Sequence, residues 1–202
     1  GIGLIILTLF FCLARSETYC PYVDTYGEDR RTHTDKLTIM QYNVEWAFLD
    51  YNANADCPGN GCVWANETQS LDHMDHVSNI IRKFNPDIIN FCEIQGCDEL
   101  NYLRDHTTNN YNSYMIQGTD TATGQNVGML TKLDPLTDLE RSEEHYEYPI
   151  NGSTCDYNGT GSTGVSKHFV TTFQWKNLKV AYISLHLIAY PTQSDRCAKR
   201  EG

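Results

Sequence analysis

Two short apolar runs, separated by one amphipathic stretch, constrain this chain more than any other feature. Leu37–Val44 and Ile88–Cys92 are rich in apolar and β-favouring residues and read as buried strands. Between them Leu71, Met74, Val77, Ile80, Ile81 and Phe84 recur at helical spacing, with Ser70 as the expected N-cap and Asn85-Pro86-Asp87 as the stop. Strand, helix, strand in that order predicts two parallel strands joined by a crossover. A short helix is expected from Asp98 to Asp105, and strands at Tyr114–Gln117 and Val127–Thr131. Residues 134–164 are polar, Gly-rich and read as a long surface excursion. His168–Trp175 and Leu178–His186, joined by Lys176-Asn177, make a hairpin. Residues 15–35 read as an irregular lead-in. The sum is α/β with both parallel and antiparallel strands, which two packed sheets flanked by helices accommodate.

The start of the chain bears on compartment. Residues 2–14 are apolar, uncharged and shorter than the roughly 20 residues a membrane span needs. They end in Cys12-Leu13-Ala14, so residues 1–14 read as a partial signal peptide cleaved near Ala14; a buried N-terminal strand or helix is the structural alternative. No later run is long enough for a transmembrane helix. Asn66, Asn151 and Asn158 each head an Asn-x-Ser/Thr glycosylation signal. Of eight cysteines, seven remain once Cys12 leaves with the leader, and in an oxidising compartment most would pair. Cys57 and Cys62 enclose a Pro/Gly turn and are expected to bridge locally; Cys155 with Cys197 is a second expected pair, and the odd count leaves one thiol free or paired elsewhere. Zinc is the alternative use of cysteine, but no Cys-x-x-Cys is present. Together these features place the chain outside the cell or in the secretory lumen. The net charge of −11 argues against a simple electrostatic nucleic-acid binder, which gains affinity by neutralising phosphates with Lys and Arg. It leaves room for an enzyme that reaches phosphate through a cation.

Three polar residues stand where apolar runs give out. Asn43 ends the first strand, Glu93 the second, and His186 the last. Alternation in that last strand puts Ala181, Ile183 and Leu185 on one face and Tyr182, Ser184 and His186 on the other. If the three ends converge, an amide, a carboxylate and an imidazole meet at one sheet edge. A hard cation such as Mg2+ takes carboxylate oxygen and keeps several waters, which suits Glu93. Asn43 can hydrogen-bond a phosphate or a carboxylate without adding charge, and His186 can move a proton near neutral pH. Each also has a structural reading: a turn Asn, a solvated Glu, a core His.

The order of motifs carries a resemblance. Leu37–Phe48 resembles the first motif of the endonuclease/exonuclease/phosphatase superfamily, the deoxyribonuclease I-like fold. Pro86–Gln95 is similar to its second, in which the Glu binds metal. Gln125–Lys132 resembles the following strand, and Ser166–Phe169 with Ile183–Ala189 the central hairpin. The resemblance covers roughly residues 36–201. It implies a four-layer sandwich, two mixed β-sheets packed face to face and flanked by helices. It further implies in-line attack of water on a phosphodiester assisted by Mg2+, with Ca2+ or Mn2+ as alternatives. Glu93 is then the metal ligand, His186 the proton carrier and Asn43 the phosphate or organising group. Lys167 is a candidate contact for substrate phosphate. Gln125 departs from the pattern, since the deoxyribonuclease I branch has there a Glu that pairs with the catalytic His. The later Gly-Asp-x-Asn and Ser-Asp-His motifs are expected beyond Glu201. Residues 36–202 therefore read as an incomplete domain, inactive by itself. The substrate is nucleic acid or another phosphodiester. A sphingomyelinase-like lipid phosphodiesterase is one alternative reading, and a non-catalytic secreted glycoprotein using the fold as a binding module is another.

Overall fold

A computed structural model describes residues 19–49, 57–108, 110–190 and 192–201; the expected signal peptide lies outside them. Strand β1 (Ile39–Ala47) leads to helix α1 (Glu67–Phe84) and strand β2 (Ile88–Ile94). The two strands pair in parallel, as strand–helix–strand order requires. Helix α2 (Cys97–Asp105) and strands β3 (Asn112–Met115) and β4 (Asn126–Thr131) follow. The four strands make one mixed sheet in the order β1-β2-β4-β3. Two-residue strands β5 (Tyr146–Glu147) and β6 (Ser162–Thr163) pair within the excursion. Strands β7 (His168–Trp175) and β8 (Leu178–Leu185) form the hairpin, and helix α3 (Ser194–Glu201) comes last.

Helices α1 and α2 cover one face of the sheet. Met74, Val77 and Ile81 of α1 and Leu100 and Leu103 of α2 pack on Val44, Ile89, Phe91, Met115 and Leu130. Each such fully buried large side chain is worth about 1.5–3 kcal/mol. The α2–β4 approach is close at Gly128, where a Cβ would stand 2.9 Å from a Leu100 methyl and 3.0 Å from Met115 Cε, so a larger residue would make those side-chain ends shift. The hairpin covers the opposite face, where Phe169, Phe173 and Tyr182 meet Ile88, Cys92, Tyr114, Val127 and Met129. The described residues thus supply three of the four expected layers: helices, mixed sheet, and a two-stranded antiparallel hairpin. The alternation along β8 is as expected, but Tyr182 and Ser184 face the core and Ile183 and Leu185 face out. Tyr182 is drawn in because its ring packs edge-on to Phe173 and against Phe169.

Helix α1 begins earlier than its apolar periodicity indicates. Its N-cap is Asn66, whose side chain accepts from Gln69 N at 3.1 Å, and Ser70 is buried inside the first turns. Asn85 closes the helix in the left-handed conformation, returning its N–H to Ile81 O at 2.7 Å. Residues 134–139 are also a correction to the surface excursion. Asp134 and Leu139 are buried, Leu139 in the second core, and Leu139 N donates to Pro21 O. Segment 19–35 has no long element, yet it runs bonded along the sheet: Cys20 exchanges both backbone bonds with Met115, and Arg30 N donates to Lys132 O. Disulfide Cys20–Cys97 fixes it there. Both expected bridges, Cys57–Cys62 and Cys155–Cys197, are present, and Cys92 is free and buried. Asn66, Asn151 and Asn158 are all exposed.

Candidate active site

The site grows from two irregularities in neighbouring strands. Strands β1 and β2 keep register from Ile39↔Ile88 to Asn43↔Cys92, lose it, and pair again at Ala47↔Ile94. In the gap Glu45, Trp46 and Glu93 adopt left-handed backbone, with φ of 49°, 60° and 67°. For residues other than glycine that conformation costs about 1–2 kcal/mol each, and a bulge of this kind re-aims a side chain. The backbone carbonyls freed in β1 are taken up by side chains from beyond the strand. His73 Nε2 donates to Val44 O at 2.5 Å, Trp64 Nε1 to Trp46 O at 2.9 Å, and the Ser70 hydroxyl to Phe48 O. Burial holds His73 below its ordinary pKa, consistent with a neutral ring donating from Nε2. Below the bulge, Glu99 accepts from Leu49 N (3.0 Å) and Gly96 N (2.8 Å), and burial pushes its carboxyl up to about 7.

Above this support the three strand-end residues meet. Asn43 Nδ2 donates to Glu93 Oε1 at 2.9 Å, and Asn43 Oδ1 accepts from Glu45 N at 3.0 Å, so the amide is fixed at both ends. His186 Nε2 lies 3.7 Å from the same Glu93 oxygen, with the two side chains 22% and 18% exposed. The hairpin delivers this histidine. His186 N donates to Lys167 O at 2.9 Å, and the Cys92 thiol lies 3.9 Å from Leu185 O, so the end of β8 rests on the end of β2. Burial first, and then the nearby Lys167 ammonium, lower the His186 pKa below its ordinary 6.5 against the pull of Glu93 and Asp120. Its Nδ1 is buried and has no hydrogen-bond partner among the described residues.

The remaining candidates lie beside these three. Lys167 Nζ bonds Asp120 Oδ2 at 2.5 Å and Gln125 Oε1 at 3.4 Å. Gln125 is buried and turned to Lys167, not to the imidazole, so it does not do for His186 what the resembling Glu does in the deoxyribonuclease I branch. Asp120 went unmarked in the sequence. Its carboxylate also accepts from Ala122 N, Thr123 N and Thr123 Oγ1. Burial raises its pKa, but the bonds from Lys167 and Thr123 outweigh that and hold it low. An Asp with Thr three residues on is a turn signature that could have drawn notice to it.

Glu93 Oε2 accepts no hydrogen bond among the described residues, while Oε1 is held by Asn43. One fixed carboxylate with one open oxygen fits Mg2+, which is commonly bound by one or two carboxylates and keeps its waters; Ca2+ takes about six to eight oxygen ligands. The grouping of three ligand-type side chains elsewhere, Cys155, Cys197 and Glu201, does not compete, because its sulfurs form a disulfide and offer no thiolate.

No protein-family model matches the sequence, and no curated protein matches it. Solved structures that resemble it include an endonuclease/exonuclease/phosphatase family protein from Leptotrichia buccalis (14% identity, TM-score 0.43, 77% of this chain and 56% of that one). TDP2 from Caenorhabditis elegans resembles it at 16% identity and TM-score 0.39, over 76% of this chain and 36% of that one. ANGEL2, a 2',3'-cyclic phosphatase, does so at 15% identity and TM-score 0.45, over 81% and 45%. The chain therefore spans less than two thirds of the length of each.

Proposed function

We propose that this chain carries the Glu–His half of the active site of a secreted, divalent-metal-dependent phosphodiesterase. One observation carries the reading: the Glu93 carboxylate, set in left-handed backbone, has Asn43 and His186 beside Oε1 and accepts no hydrogen bond at Oε2 among the described residues. Backbone strain held in place by surrounding bonds is a feature of functional sites. Glu93 would hold Mg2+, and a bound cation supplies charge stabilisation at a phosphoryl oxygen. Asn43 holds the Glu93 carboxylate in one orientation. His186, kept neutral at pH 7 by burial and by Lys167, is able to accept a proton from an attacking water. Lys167, paired with Asp120, adds a donor beside the site that a phosphoester oxygen would share with that carboxylate. The three disulfides and the exposed Asn66, Asn151 and Asn158 support an oxidising, secretory setting. No helix of the described residues is long and apolar enough to cross a membrane.

The test is hydrolysis by the full-length protein, with Mg2+ or with chelator, of single- and double-stranded DNA, RNA and sphingomyelin. Turnover is expected only with the cation. Rates unaffected by chelator, or by Glu93→Gln, would overturn the reading.

A further inference from the structure

A cavity of about 270 Å³ opens beside His186, between the excursion, the segment after β8 and α3. Its polar wall is made by the imidazoles of His145 and His186, the Lys199 ammonium, and Ser162, Thr163 and Ser166. The chain has 26 acidic and 15 basic residues, yet no carboxylate of the described residues lines this cavity. We infer that it is an anion subsite, which accepts a phosphate adjoining the one poised at Glu93 and His186. The inference deepens the phosphodiesterase reading and rests on it for the identity of the reacting group.

The wall is assembled from distant parts of the chain and tied in three ways. Cys155–Cys197 joins α3 to the excursion that carries His145 and β6. Glu201 accepts from Thr154 N at 3.2 Å and Thr154 Oγ1 at 3.0 Å, which repeats the join one turn later. Arg200 Nε donates to Ile188 O at 2.8 Å, which fixes α3 to the segment just after His186. Lys199 lies on α3 among the residues that make these three ties, and it lines the cavity as an exposed side chain. On the opposite wall the His145 ring lies against Gly164. A Cβ there would stand 2.6 Å from Glu144 O and 3.2 Å from His145 Cδ2, so only glycine lets the two segments approach. His145 Nδ1 donates to Glu143 O at 2.8 Å, which fixes the ring.

Size and charge name the ligand class. At about 270 Å³ the cavity lies near the lower end of small-ligand pockets, with room for a phosphate and part of the group that adjoins it. The Lys199 ammonium and the hydroxyls of Ser162, Thr163 and Ser166 favour an oxyanion and disfavour the quaternary ammonium that follows the phosphodiester in a choline lipid. The cavity therefore selects a substrate with phosphates in series, a polynucleotide chain, over a choline headgroup.

The test uses the 202-residue chain in chelator, so that neither a divalent ion nor hydrolysis takes part. Inorganic phosphate, and separately glycerophosphocholine, are titrated while the Gly164 and Ser166 amides and the His145 ring protons are followed by NMR. Phosphate is expected to shift these signals saturably. Lys199→Ala should weaken it by about tenfold, the size of one charge-assisted hydrogen bond, and Lys199→Arg should restore it. Cys155→Ser/Cys197→Ser should weaken it as well, and Lys199 is exposed enough for its substitution to leave the fold intact. Equal affinity in the wild type and Lys199→Ala, no shift at Gly164 and Ser166, or tighter binding of glycerophosphocholine than of phosphate would overturn the subsite. None of these results bears on Glu93 and His186, whose test is cation-dependent turnover.

Discussion

The two ends of the four-stranded sheet both hold charged groups out of water, and they do so in opposite ways. At the end where β4 runs out, Asp134 is fully buried and both its oxygens are bonded. Thr25 (2.5 Å), Arg30 Nη1 (2.6 Å), Tyr114 (2.9 Å) and Asn112 (3.1 Å) donate to it, and Arg30 Nη2 adds a second arm. Burial raises its pKa, but these bonds outweigh it and hold the carboxyl below 3.8. At the other end, among the described residues, Glu93 Oε2 accepts no hydrogen bond, and His186 Nδ1 and Gln95 Oε1 are buried without partners. Buried polar groups are nearly always paired, so an unpaired set is informative. A network closed on itself secures the fold. An open one in strained backbone is a place prepared for something else.

The largest expected effect separates the two ends directly. His186→Ala in the full-length protein should lower kcat for a phosphodiester by about 10²–10⁴-fold, with an unchanged urea midpoint. A lowered midpoint with activity intact in the folded fraction would make His186 a structural residue and erase the contrast. Next, Asp134→Ala should destabilise the chain by about 3–5 kcal/mol, because it removes the buried one of Arg30's two carboxylate partners and leaves Thr25, Tyr114 and Asn112 without their acceptor. Urea unfolding checks this, and a loss below about 1 kcal/mol would show the closed network to be slack.

A smaller effect lies in pH. Asp134 has a folded pKa below its ordinary 3.8, so its stabilisation is complete above that value and is lost as pH falls through the folded pKa. The folded chain likewise favours neutral His186, so that contribution is complete above 6.5 and is lost as pH falls below it. Glu99 acts in the opposite sense between 4.5 and about 7, because its raised carboxyl takes up a proton on folding. Differences between variants are therefore the quantity to measure. In chelator, His186→Asn should remove part of the wild-type slope just below pH 6.5, and Asp134→Asn only part of that below 3.8. A change in the wrong window for either variant would break the assignment of ends. The smallest effect is at the helix cap, which belongs to neither network although α1 supports the bulge through Ser70 and His73. Asn66→Ala removes the α1 cap at about 1 kcal/mol, readable as a shifted urea midpoint.

What could be read from the sequence follows the same division. Asn43, Glu93 and His186 were legible because each is the polar residue at which an apolar run stops, and Cys57–Cys62 because a Pro/Gly turn lies between the two. The bulges were not, since Glu45, Trp46 and Glu93 are not residues that advertise a left-handed backbone. Asn66 and Ser70 are both good caps, and Ser70 lost the position because its hydroxyl meets a carbonyl 22 residues earlier in the chain. Periodicity gave the two faces of β8 without saying which is buried, a choice made by Phe169 and Phe173 across the hairpin. The ordering of residues 19–35 depends on Met115, Lys132 and Cys97, all far along the chain.

Cys92 lies at the seam between the mixed sheet and the hairpin, with the Gln41 amide on one side and the Leu185 carbonyl on the other. Burial raises its pKa, so at neutral pH it stays a protonated thiol, slow to react. An alkylating reagent can meet it only in the instants when the hairpin lifts away from the sheet. Its modification rate therefore counts those openings, which gives the chain a native clock for the breathing of the surface that brings His186 to Glu93.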